Sequence, residues 1–223
     1  MYDAIILAGG ENNKRLNTYT PESYEALIEI AGKPMVTFVA EALAQCRKVK
    51  RIFVLGPIAE LAKYSFADNT HFAESGSTIA EAIRLGMAAL GHSERVLVAT
   101  ADIPLLTAEA VEDFLFQCAN VEADLYYPVV PQEINERRYP GNKRTYVRLK
   151  EGVFTGGNIF LVNPAIVNHC MDVAEEFIAR RKKPLKLCCM LGWSFVIRFF
   201  LGTLTLKNVE QRVAELLDIR GAV

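Results

Sequence analysis

Short apolar runs alternate with amphipathic stretches along the first half of this 223-residue chain, and that alternation most limits its fold. DAIILA (3–8) and RIFVLG (51–56) are dense apolar runs of strand length, and RVLVATADIP (95–104) reads as a third. Such runs mark strands buried on both faces. Between them, Met35 to Cys46 and TIAEAIRLGMAAL (78–90) carry apolar residues at helical spacing. TAEAVEDFLFQC (107–118) adds a helix with a threonine cap and an acidic first turn. ADLYYPVV (123–130) and GNIFLVNP (157–164) read as further strands, and helices are expected over most of 165–181 and 185–217. This order predicts an α/β fold: three layers around a mostly parallel, Rossmann-like sheet. The expected division is an α/β domain over 1–180 and an apolar helical appendage over 181–223, packed on it or serving as an interface. The polar stretch 131–156 reads as a loop or lid.

Composition excludes several classes. With 25 basic and 26 acidic residues the net charge is −1, so nothing global favours nucleic acid. A hydrophobic content of 51% is too high for intrinsic disorder. Five cysteines without a CxxC spacing predict reduced thiols in a cytoplasmic protein. Asp3 and the glycines interrupt the N-terminal apolar run too early for a secretory signal.

The first strand ends at Leu7 and Ala8 in a glycine pair, Gly9 and Gly10, followed by Lys14 and Arg15. In open α/β sheets ligands bind beyond the carboxyl ends of the strands. Bare glycines there let backbone N–H groups approach a phosphate or a base, and the cations would meet the phosphate charge. A tight turn with solvated cations is the simpler alternative. The chain has neither GxGxxG after a strand nor GxxxxGK[ST], which disfavours dinucleotide and P-loop sites. TADIP puts Asp102 just past a buried strand, as a magnesium ligand or a turn cap. ESGST (74–78) offers Gly76 and Ser77 to a ribose or base, or simply an N-cap. FTGGN (154–158) holds a second glycine pair, Gly156 and Gly157, with Asn158 as a polar contact for an acceptor; a bulge or turn explains it as well.

Taken together, LAGG, the basic residue after it, GKPM (32–35), ESGS, TADIP and TGGN resemble the MobA-like nucleotidyltransferase (NTP transferase) family, over most of the chain. Within it they resemble a branch in which KRTYVRL (143–149) and TGGN (155–158) lie close together. The resemblance implies the nucleotide-diphospho-sugar transferase type of fold and transfer of a nucleotidyl group from an NTP to a phosphorylated acceptor. It implies that Leu7, Ala8, Gly9 and Gly10 hold the nucleotide, with Gly76 and Ser77 near the base. Lys14 or Arg15 would bind the β- and γ-phosphates, and Asp102 would hold Mg²⁺.

Two departures from the family pattern stand out. Glu25 in EALIEIAGKP occupies the place of a family lysine, and a carboxylate there repels phosphates. The family's second metal-binding aspartate has no counterpart near LLDIRGAV, where Asp218 falls in a helix-like run. That leaves a chain cut short of the aspartate, or an incomplete metal site. The alternative function is therefore a catalytically impaired nucleotide- or sugar-phosphate-binding protein of the same fold.

ERRYPGNKRTYVRLK (136–150) carries six cations against one acid. Arg137, Arg138, Lys143 and Arg144 are the candidates for clamping a small anionic acceptor, against a plain solvated loop. The run 180–206 is apolar and opens on a basic cluster, but Arg198, Gly192 and Gly202 divide it. A span needs about 20 apolar residues, so none is expected. Two short helices packed on the core or at a homodimer interface through 185–206 are expected ahead of membrane contact.

Overall fold

The computed structural model describes residues 1–12, 16, 19–180 and 191–223. Lys14, Arg15, Cys188 and Cys189 lie outside the described residues. In chain order the elements are β1 (Tyr2–Leu7), β2 (Glu29–Ile30), β3 (Lys33–Pro34), α1 (Met35–Gln45), β4 (Val49–Leu55), α2 (Ile58–Leu61), β5 (Thr70–Ala73), α3 (Ile79–Leu90), β6 (Val96–Thr100) and α4 (Ala108–Cys118). There follow β7 (Leu125–Tyr126), β8 (Val129–Pro131), α5 (Gln132–Arg138), β9 (Val147–Leu149), β10 (Gly152–Gly156), β11 (Ile159–Val162), α6 (Pro164–Arg180), α7 (Trp193–Phe200), α8 (Leu206–Leu217) and β12 (Gly221–Ala222). They form two compact units, Met1–Asn120 with Leu161–Val167, and Val121–Phe160 with Asn168–Val223. The expected boundary at 180 abuts residues 181–190, outside the described residues, whereas these units interleave along the chain.

Within the first unit β6, β1, β4 and β5 lie side by side in that order. β1 is parallel to β4, with Leu7 opposite Leu55, and parallel to β6, with Leu7 opposite Thr100. Ile5, Ile6, Ile52, Leu55, Val96 and Leu97 are fully buried, as continuous apolar runs in a covered parallel sheet must be. Helix α3 packs so closely that a methyl on Gly86 would sit 2.7 Å from Ile5 Cδ1. At the amino end of β1, Asp3 accepts from Arg51 Nε at 2.9 Å and Nη2 at 2.8 Å, and from the Ser93 hydroxyl. The Arg51 guanidinium holds the Asp3 carboxyl below its ordinary range despite burial. The expected α/β class and mostly parallel sheet are what the chain forms. Strand β5 was not expected: among the described residues it pairs with β4 alone, and it has no buried residue, so it carries no apolar run.

In the second unit β10 pairs antiparallel with β8 and β9, and β12 pairs parallel with β7. The stretch expected as a loop over 131–156 is instead α5 followed by the β9–β10 hairpin. Its elements are nearly all solvent-facing: α5 buries no residue, and β9 buries only Leu149. Without an apolar periodicity the sequence shows polarity alone. The strand expected over 123–130 is divided into β7 and β8 at Tyr127-Pro128; proline has no N–H to give a ladder. Helices α7 and α8 are separated at Gly202, which has φ 65°, and α8 opens on a Thr205–Asn208 capping box.

Candidate active site

The chain runs outward from β1 to β4 and β5, then returns across β1 to β6. The loops leaving β1 and β6 therefore part at a switch in strand order, where open α/β sheets bind ligands. The Leu7 carbonyl accepts from Ala101 N–H at 3.2 Å, and Ala8 N–H donates to the Leu55 carbonyl at 2.8 Å. Leu7 and Ala8 thus spend these backbone groups on fixing the strand end, directly beside the loop that carries Asp102. Asp102 is exposed at that edge and accepts a hydrogen bond from the Thr100 hydroxyl.

Gly9 and Gly10 play different parts. A Cβ on Gly9 would lie 2.1 Å from Ser75 Oγ, so the ESGS loop is seated against the glycine. Gly10 has nothing within 4 Å of where its Cβ would be. Its carbonyl accepts from Glu25 N–H at 3.0 Å. Asn12 N–H donates to Ser23 O at 2.8 Å, so segment 22–25 runs along the loop after β1. Glu25 is thereby placed next to the glycine pair.

The ESGS loop is tied to its own helix. Thr78 caps α3 by accepting from Glu81 N–H at 3.1 Å, and the Glu81 carboxylate accepts from Ser77 N–H at 2.6 Å and Ser77 Oγ at 2.8 Å. These two bonds, the hydroxyl's foremost, lower the Glu81 pKa. A Cβ on Gly76 would lie 2.1 Å from Glu81 Cγ. Ser77, expected beside a base, donates its hydroxyl to Glu81. The Thr78-x-x-Glu81 spacing is a helix-start signal readable in the sequence; Ser75 and Thr100 carried none.

Within the second unit, Arg144 is half-buried and holds the TGGN segment. Its Nη2 donates to Gly156 O at 2.7 Å and Asn158 Oδ1 at 3.1 Å, and its Nε to Thr155 Oγ1 at 3.4 Å. A Cβ on Gly156 would meet Tyr127 Oη at 2.2 Å, and one on Gly157 would meet Pro128 Cγ at 2.9 Å. Tyr127 and Pro128 thus lie against both glycines. Arg137 and Arg138 are exposed in the last turn of α5, and Lys143 is exposed beyond Gly141.

The match to known proteins runs far beyond these loops: residues 4–183 fit the MobA-like NTP transferase domain. The chain belongs to the MobA-like NTP transferase family. It is 32% identical over 115 residues to the bifunctional protein GlmU of Exiguobacterium sp., covering 50% of this chain and 25% of that protein. The chain thus matches only a quarter of that relative's length. A solved structure described as a hypothetical transferase from Thermus thermophilus is 35% identical, covers 99% of this chain and 90% of its own, and superposes with a TM-score of 0.83. The bifunctional IspDF of Campylobacter jejuni shares the fold, with a TM-score of 0.57 at 18% identity over 77% of this chain and 43% of that one.

Proposed function

We propose that this protein transfers a nucleotidyl group from an NTP to a phosphorylated small-molecule acceptor. An acceptor phosphate oxygen attacks the α-phosphorus, the bond to the bridging oxygen breaks, and pyrophosphate leaves. The observation that carries this reading is the convergence of LAGG, ESGS and TADIP on one carboxyl edge of the sheet. Open space at Gly10 suits a phosphate or base lying against the backbone. Lys14 or Arg15 would meet the β- and γ-phosphates, and catalysis would come from positioning and charge neutralisation.

Magnesium fits the residues present. Mg²⁺ takes one or two carboxylates and completes its shell with substrate phosphate oxygens and water. Asp102 supplies an exposed carboxylate at the strand end, and no cluster of three ligating side chains exists among the described residues. When bound, the ion supplies positive charge to the triphosphate. In the second unit, Asn158 held by Arg144, with Arg137, Arg138 and Lys143, would bind the acceptor anion.

The second reading, a binding protein with impaired catalysis, is favoured by the Glu25–Gly10 backbone bond, which puts an acid residue at the phosphate loop. One experiment separates the two. The protein is incubated with each of the four NTPs, Mg²⁺ and a panel of sugar and polyol phosphates. Acceptor-dependent pyrophosphate release establishes the transferase. NTP binding without release from any pair establishes the impaired protein. The free thiols of Cys46, Cys118 and Cys170 accord with a cytoplasmic setting.

A further inference from the structure

Helix α3 is fixed against β1 at Gly86, where a methyl would sit 2.7 Å from Ile5 Cδ1. Glu81 stands in its first turn, and its N–H donates to the capping Thr78 hydroxyl at 3.1 Å. A glutamate at this third helical position ordinarily reaches back to the N–H of the cap residue. The Glu81 carboxylate goes one residue further. A single oxygen, Oε2, accepts from Ser77 N–H at 2.6 Å and from Ser77 Oγ at 2.8 Å. Both bonds, the hydroxyl's foremost, hold the Glu81 carboxyl below its ordinary range, so it is an ionised acceptor at neutral pH. Glu81 is exposed, so no core packing depends on its side chain.

Gly76 makes this reach possible. A Cβ there would lie 2.1 Å from Glu81 Cγ and 2.4 Å from Cδ, so the acid's arm passes through the space that a side chain at 76 would fill. Gly76 and Ser77, which the sequence offers to a ribose or base, are thus engaged by Glu81. The residue of the loop that meets the LAGG turn is Ser75, whose Oγ lies 2.1 Å from where a Cβ on Gly9 would be. At the start of the loop Gly56 N–H donates to the Ala73 carbonyl at 3.0 Å. Residues 74–78 are therefore tied to the sheet at one end and to α3 at the other, and Glu81 holds them between. With Ser77 held, Ser75 two residues away has little freedom to leave Gly9. A loop ordered in advance spares a ligand the entropy of ordering it.

We propose that Glu81 is a positioning residue for NTP binding, a role that rests on the reading of LAGG as the nucleotide loop. By holding Ser77 it keeps Ser75 seated on Gly9, and it acts through the loop without touching the nucleotide.

The full chain is titrated calorimetrically with ATP, GTP, CTP and UTP, each with Mg²⁺, and the variants with whichever nucleotide binds. Glu81→Ala should weaken affinity about tenfold and Ser77→Ala about threefold. Glu81→Gln should stay within about threefold of the parent, because one amide oxygen can accept both Ser77 bonds as Oε2 does. Gly76→Ala displaces the acid's arm and should match Glu81→Ala. The Gly76→Ala/Glu81→Ala double variant should be no weaker than either alone, since both remove the same contact. Without nucleotide, deuterium exchange at the Ser77 amide should quicken about tenfold in Glu81→Ala. A Glu81→Ala protein that melts lower but binds the NTP as before has lost a helix cap only, and overturns the proposal. Tighter binding in Glu81→Ala, additive losses in the double variant, or unchanged exchange at Ser77 overturn it too. Where Glu81→Ala fails to fold, Ser77→Ala, which alters no residue of α3, decides the matter. An unaltered protein that binds none of the four NTPs refutes the nucleotide reading and this role with it, whereas binding that no variant alters refutes this role alone.

Discussion

Arg144 donates Nη2 to Asn158 Oδ1 at 3.1 Å, and the same nitrogen reaches the Gly156 carbonyl at 2.7 Å. The guanidinium therefore sets the TGGN segment and turns the Asn158 amide oxygen toward itself. Its first task is positioning, ahead of the acceptor contact expected from the sequence. Arg144→Ala should raise the acceptor KM about tenfold and leave NTP affinity unchanged. Arg144→Lys should not rescue it, because a single ammonium cannot reproduce the planar fork. Steady-state kinetics with each substrate varied in turn makes the check; equal loss for both substrates counts against the assignment.

Asp102 stands at the β1/β6 switch and is exposed, so its substitution leaves packing alone. Asp102→Asn should change stability by less than about 0.5 kcal/mol. Its Mg²⁺-dependent pyrophosphate release should fall about 10²–10³-fold. A magnesium titration that is the same in both proteins would remove Asp102 from the site.

The two glycines of LAGG make a paired test. Gly9→Ala drives a methyl into Ser75, and Ser75→Gly in the same chain should restore much of what it loses. Gly10→Ala meets nothing, so its melting temperature should hold while NTP affinity drops. Calorimetric titration and thermal melts separate the cases; unaltered affinity in Gly10→Ala means that the nucleotide does not approach that backbone.

Glu25→Lys puts the cation of the family pattern at the residue whose N–H bonds the Gly10 carbonyl. If Glu25 holds that place, turnover or NTP affinity should rise about tenfold or more. No change in either quantity would mean that the side chain at 25 does not face the triphosphate.

Asp3 links stability to acid. Its folded pKa lies below the ordinary value because Arg51 and Ser93 donate to the charged form. The stabilisation is therefore complete above the unfolded carboxyl's pKa of about 3.9 and is lost as pH falls through the lower folded value. Asp3→Asn should cost about 1–2 kcal/mol at neutral pH and flatten that acid limb. Urea melts from neutral pH down to acid measure both effects. An acid limb as steep in the variant as in the parent would show that another carboxyl is responsible.

The sequence by itself determined the layered α/β class, because strands buried on both faces need long apolar runs and such runs are visible one residue at a time. It also exposed the glycine pairs and Asp102, since each sits at an end of an apolar run. Helix caps at Thr78 and Thr107 were legible for the same local reason. Only the tertiary structure decided which segments meet. Ser75 lies against Gly9, and Glu25 N–H bonds the Gly10 carbonyl, through strand order and loop paths that no local pattern encodes. The same holds for α5 and the β9–β10 hairpin, whose polar residues hide no periodic face. It holds for Arg144, which looked like one cation among six until the fold gave it the carbonyl of Gly156 and the amide of Asn158. Burial leaves its mark on composition position by position, whereas a hydrogen bond between distant residues is a property of the path the whole chain takes.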